Sequence, residues 1–106
     1  MKIANRDARR HVQSRTTFVG SNLFGATFHD GYAVFSYGIH WPLFIHSNGM
    51  WFENEERHSV TTSKHRSQSH PHCPTVLLSC QWMKKLYNEG FQAIAKARIL
   101  NGEVAE

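Results

Sequence analysis

The stretch from Ser59 to Cys73, SVTTSKHRSQSHPHC, concentrates the side chains of this chain that can do chemistry. It holds six hydroxyl residues, His65, His70, His72, Lys64, Arg66 and Cys73, with Val60 as its one aliphatic side chain. Such groups serve a metal site, covalent catalysis, an anion cradle or, most plainly, a polar linker.

Metal binding is the poorest match. His65, His70, His72, Cys73 and Cys80 are zinc-ligand types, but there is no C-x-x-C pair and His-Pro-His-Cys has no structural zinc spacing. Pro71 and Pro74 stretch the strip and splay neighbouring side chains. No metal or other cofactor is expected, and Ser67 to Cys73 is expected to be a proline-stiffened connector. Covalent catalysis lacks a third group to orient a histidine base. The acids before Glu89 fall at turns or strand ends, where solvation is expected, and neither G-x-S-x-G nor a Cys–His signature occurs. No catalytic residue is assigned. A hydrolase relying on His40 and His65 is the weaker alternative to histidines bonded within the fold.

An anion cradle fits better. Ser59, Thr61, Thr62 and Ser63 are N-cap residue types, and TTSKHRSQ suits a short helix. Its N-terminus would offer unpaired N–H groups and the positive end of the helix dipole, with Lys64, His65 and Arg66 adding charge. No glycine-rich turn makes it a P-loop, and the plain reading is a cluster that caps its own backbone.

A second basic stretch lies at the N-terminus, where residues 1–15 hold Lys2, Arg6, Arg9, Arg10 and Arg15 against Asp7. Residues 16–56 contain no Lys or Arg and four acids: Asp30, Glu53, Glu55 and Glu56. Two basic surfaces flanking a neutral-to-acidic body suit a phosphate-bearing partner, although patchy charge in a small basic protein is often unused. The candidate anion or nucleic-acid contacts are therefore Arg6, Arg9, Arg10, Ser59, Thr61, Thr62, Ser63, Lys64, His65 and Arg66. Tyr37, Trp41 and Trp51, with Phe52, could supply a stacking platform, and Tyr37, His40, Trp41 and Trp51 a protein interface. Aromatics on small sheets more often form core, and no ribonucleoprotein motif is present.

These residues need a scaffold. A chain of 106 residues with 41% hydrophobic content suits one folded core. No apolar run approaches the roughly 20 residues of a membrane helix, and the N-terminus lacks a secretory signal's apolar stretch. The expectation is a soluble cytoplasmic protein without a membrane partner. Cys73 and Cys80 make no disulfide framework and are expected as thiols.

Residues 1–15 read as a mobile basic arm, although Ala8 and Val12, four apart with Asn5 as N-cap, allow a short helix. Residues 16–102 read as one α+β domain and 103–106 as a tail. LFGATF, GYAVFSYG, HWPLFIH and MWFENEE, separated by His29-Asp30-Gly31 and Ser47-Asn48-Gly49, predict a four-stranded antiparallel meander. Pro42 belongs at a strand start or edge. TVLL predicts a further short strand. Ser79 then caps a long C-terminal helix in which Trp82, Met83, Leu86, Tyr87, Phe91, Ile94, Ala97 and Ile99 form one apolar stripe. It is expected to bend at Gly90, stop at Asn101-Gly102 and cover the sheet.

The stretch YAVFSYGIHWPLFI, a turn, and WFENEERHSVTTSKHRSQ together resemble a small uncharacterised domain of bacteriophage and mobile-element proteins. The likeness covers residues 23–68 and rests on Ser36, Tyr37, His40, Pro42, Trp51, Ser59, Thr61, Thr62, Ser63, Lys64 and His65. It implies a phage-type accessory protein in the cytoplasm of a bacterial host, acting by non-covalent binding. Its partner would be nucleic acid or a host nucleic-acid-binding protein. The alternative is an anti-CRISPR-like inhibitor of a host defence protein working through an aromatic surface. A homodimer is a candidate assembly.

Overall fold

The computed structural model describes residues 2–39, 41–56 and 60–92. Among them, a 3-10 turn (Asn5–Asp7) leads into α1 (Ala8–Ser14), and five strands follow: β1 (Phe18–Val19), β2 (Leu23–Phe28), β3 (Gly31–Ser36), β4 (Pro42–Ser47) and β5 (Met50–Asn54). Then come α2 (Val60–Ser69), β6 (Val76–Leu78) and α3 (Cys80–Glu89). The protein is α+β.

The expected meander is β2 to β5, each antiparallel to the next. The sheet is nevertheless six-stranded and mixed, which corrects the four-stranded expectation. Phe18–Val19 adds β1 at one edge, antiparallel to β2. The TVLL run adds β6 at the other edge, parallel to β5, because α2 carries the chain back across the sheet before it re-enters.

Two tight turns follow their local chemistry. Asn48 (φ 53°) and Gly49 (φ 75°) are both left-handed, as a two-residue hairpin turn of this hand requires. Gly31 is needed for space: a Cβ there would lie 1.9 Å from the His46 carbonyl oxygen on the neighbouring strand.

Both faces of the sheet are covered, so the central strands read as nearly continuous apolar runs. On β3, Tyr32 and Val34 point to one face and Ala33 and Phe35 to the other, all buried. On β4, Val34 pairs with Phe44 and Phe35 with Pro42, so Leu43 is an extra residue. That bulge turns both Leu43 and Phe44 toward the first face.

The first face is covered from the N-terminus. Ala8 and Val12 are fully buried there with Leu23, Tyr32, Val34, Phe44 and Trp51. The expectation of an N-terminal arm that buries little is thereby corrected. Ala8 and Val12 are small enough for a seven-residue helix to sit close on the strands. Asn5 is no N-cap: its amide donates to the Ser21 carbonyl (3.0 Å) and its Oδ1 accepts from the Ser21 N–H (2.8 Å). The Ile3 N–H donates to the Val19 carbonyl at 2.8 Å, fastening the chain start to β1.

The second face is covered by α3, whose Met83 and Leu86 pack on Ala33, Phe35, Ile45 and Phe52. Ser79 caps it, its hydroxyl accepting from the Trp82 N–H at 3.3 Å. The helix ends at Gly90 (φ 91°), where a left-handed backbone suits glycine. The Asp30 carboxylate then accepts from the Phe91 N–H at 2.6 Å. Ile94, Ala97, Ile99, the Asn101-Gly102 stop and the 103–106 tail lie outside the described residues. No helix among those described is long and apolar enough to cross a membrane.

Candidate anion-binding face

Helix α2 meets the sheet through Thr62, His65 and Ser69, which are 2%, 4% and 0% exposed. Their spacing of three and four residues makes one helical stripe, built of hydroxyls and an imidazole instead of apolar side chains. The Ser36 hydroxyl lies 2.8 Å from His65 Nδ1 and 3.5 Å from the Thr62 hydroxyl, and Ser69 donates to the His65 carbonyl at 2.7 Å. Burial, with the nearby Lys64 charge, holds the His65 pKa below its ordinary value. A neutral imidazole bonded through Nδ1 to a fully buried serine braces α2 against β3. The geometry leaves the serine no access to a substrate.

The anion-cradle candidates therefore divide. Thr62 and His65 face inward, Thr61 and Lys64 are exposed, and Ser63 is half-buried. Ser59 lies outside the described residues, as does His40.

Glu53 draws Arg66 inward as well. Its carboxylate, 6% exposed, is paired with the Arg66 guanidinium, accepts from the Thr75 hydroxyl at 2.6 Å and lies 3.3 Å from His70 Nε2. Burial would raise the Glu53 pKa, but hydrogen bonds from Thr75 and Arg66 and the Arg66 and His70 charges outweigh it and hold the carboxyl low. The expectation of solvated acids fails at Glu53, and the signal was present: Glu53 stands two residues after the buried Trp51 on the same strand face. The linker expectation is corrected too. Residues 67–69 belong to α2, and the His70 ring packs on Phe44 at 5.2 Å between centroids. No group of three or more potential metal ligands forms among the described residues, and Cys73 and Cys80 are not bridged.

The two basic segments come together at the far end of α2. Arg9 donates through Nε to the His70 carbonyl (2.7 Å) and through a terminal nitrogen to the Ser67 carbonyl (2.5 Å). It caps the negative end of α2 with a cation. Gln13 reinforces the seam, donating to the Pro71 carbonyl at 2.9 Å. Helices α1 and α2 thus lie side by side on the first face. Arg6, Arg10 and Lys64 remain exposed, the latter two opposite the buried stripes of their helices. Gln13 and Arg15 are also exposed, and Asp7 is the one acid among the described residues of the two helices and the 3-10 turn.

The aromatic platform does not form as expected. Trp51 is 9% exposed and packs edge-on to Tyr32, Phe52 is buried on the opposite face, and Trp41 is half-buried against the first-face core. Alternation along strands covered on both faces sends these rings inward. Tyr37 differs: it is 57% exposed, left-handed (φ 68°), and lies 5.7 Å from the His65 ring.

No family model matches this chain, and no match was found among curated proteins or solved structures.

Proposed function

We propose that this is a small phage-type accessory protein that acts by non-covalent binding to nucleic acid, through the outer surface of α1 and α2. One observation carries this reading: Arg9 bridges to the Ser67 and His70 carbonyls and docks two basic segments, far apart in sequence, on the same face. Arg6, Arg10 and Lys64 are all exposed on these elements, with exposed Thr61 and Ser67 as neutral donors to phosphate oxygens. Arg9 and Arg66 serve this surface indirectly, by holding the helices in place.

The test is fluorescence anisotropy with labelled duplex and single-stranded DNA and RNA at low salt. Binding should weaken steeply with salt and be lost on combining Arg6→Ala, Arg10→Ala and Lys64→Ala, with the melting temperature retained. Undetectable binding to every probe at low salt removes the reading.

A second reading, inhibition of a host defence protein, draws on Tyr37 and Ile39. Both are more than half exposed beside a left-handed backbone turn. Exposed apolar side chains on such a turn suit a protein partner. Retention of a host protein on the immobilised chain after nuclease treatment, lost in Tyr37→Ala, would favour it.

A further inference from the structure

We infer that the preferred ligand of the α1/α2 face is a double-stranded nucleic acid, gripped by its phosphates without base stacking; this rests on the nucleic-acid reading above. The reason is where the aromatic side chains are. Binding of single strands relies on exposed rings on which successive bases stack, each worth several-fold or more in affinity. Here Tyr32, Phe35, Phe44, Trp51 and Phe52 are spent on the two covered faces of the sheet. Among the described residues α1 contains no aromatic other than His11, which is half-buried against Phe18, and α2 none other than the buried His65. Tyr37 is the one large aromatic side chain exposed among the described residues, and a single ring makes no platform for a run of bases.

What the face offers is charge and neutral hydrogen-bond donors. Arg6 stands in the 3-10 turn, Arg10 in α1 that follows it directly and Lys64 on α2, opposed by Asp7 alone among the described residues of these elements. A ligand held by phosphates only is favoured by its charge density. A duplex carries one charge per about 1.7 Å of axis, and phosphate neutralisation on it releases more counterions per contact than on a single strand. Three contacts give a slope of log affinity against log salt of about −2.7, or about 40-fold weaker binding between 50 and 200 mM salt. The contacts are to the backbone, so binding is indifferent to base sequence.

The test titrates full-length protein into a labelled blunt DNA duplex and into oligothymidylate of equal length, from low to moderate salt. Several-fold tighter binding to the duplex, a slope near −3, insensitivity to duplex sequence and retention of duplex affinity within about twofold in Tyr37→Ala would support the inference. Equal or tighter binding to oligothymidylate, or loss of duplex binding in Tyr37→Ala, overturns it while leaving the nucleic-acid reading in place. Absence of binding to both probes at low salt overturns both. Arg10→Ala is the matched control. It removes an exposed cation and should lower duplex affinity and flatten the slope by about one, with the fold intact.

Discussion

The hydroxyl of Ser36 lies 2.8 Å from Nδ1 of His65, both side chains are buried, and the contact ties β3 to α2 across twenty-nine residues of sequence. A Ser–His pair invites a catalytic reading, but this one is sealed: its imidazole is bonded through Nδ1 to a buried structural serine and is carried on a stripe of buried hydroxyl residues. Ser36→Ala should destabilise the fold by about 1–3 kcal/mol, the cost of an unpaired buried ring nitrogen. Denaturant unfolding measures it. Nucleic-acid affinity of the folded fraction should be unchanged, because the exposed cations are untouched.

Glu53 and Arg66 form the second brace between sheet and α2. Glu53→Ala should cost about 3 kcal/mol, since it strands a guanidinium that is largely buried. Combining it with Arg66→Met should recover part of that loss. A double variant as unstable as the sum of the single ones would refute the coupling.

Acid should act in two stages. His65 and His46 have folded pKa values below the ordinary 6.5, by burial and by the Lys64 and Arg15 charges respectively. The unfolded chain therefore takes up these protons first. Their contribution to stability is complete above pH 6.5 and is lost as pH falls through the lower folded values. Glu53 adds a second loss below its ordinary 4.5, again because its folded pKa is depressed. Unfolding free energy measured against pH should show both, and His65→Gln should shrink the first.

Two glycines should respond differently to alanine. At Gly31 the added Cβ would meet the His46 carbonyl at 1.9 Å, a backbone atom of the adjoining strand that cannot yield without parting the hairpin. Gly31→Ala should fail to fold or lose several kcal/mol, of the order of severe overpacking. At Gly49 the space is open and only the left-handed φ of 75° is strained, so Gly49→Ala should cost about 1–2 kcal/mol. Comparable melting temperatures for the two variants would contradict this assignment.

Arg9→Ala should loosen the seam between α1 and α2 and remove the cation at the end of α2, costing about 1–2 kcal/mol. Nucleic-acid binding should weaken without the salt slope falling by a full contact, which separates Arg9 from Arg6 and Arg10. Anisotropy titrations at two or more salt concentrations decide it.

The sequence by itself determined the four central strands, their turns, the Ser79 cap and the apolar stripe of α3. These depend on local signals: alternation, Asn-Gly chemistry, hydroxyl capping and three- and four-residue spacing. It also marked the two basic segments. It could not place α2 on the sheet, because the buried stripe of that helix is Thr62, His65 and Ser69, polar residues that carry no hydrophobic period. Only the tertiary structure supplies their partner, Ser36, and likewise turns Glu53 and Arg66 toward each other. The same holds at the N-terminus, where Ala8 and Val12 are too small to announce a core helix until strands lie beneath them. The basic segments become one surface through the Arg9 contacts with the Ser67 and His70 carbonyls. A long-range bond to main-chain oxygens leaves no trace in residue type or spacing.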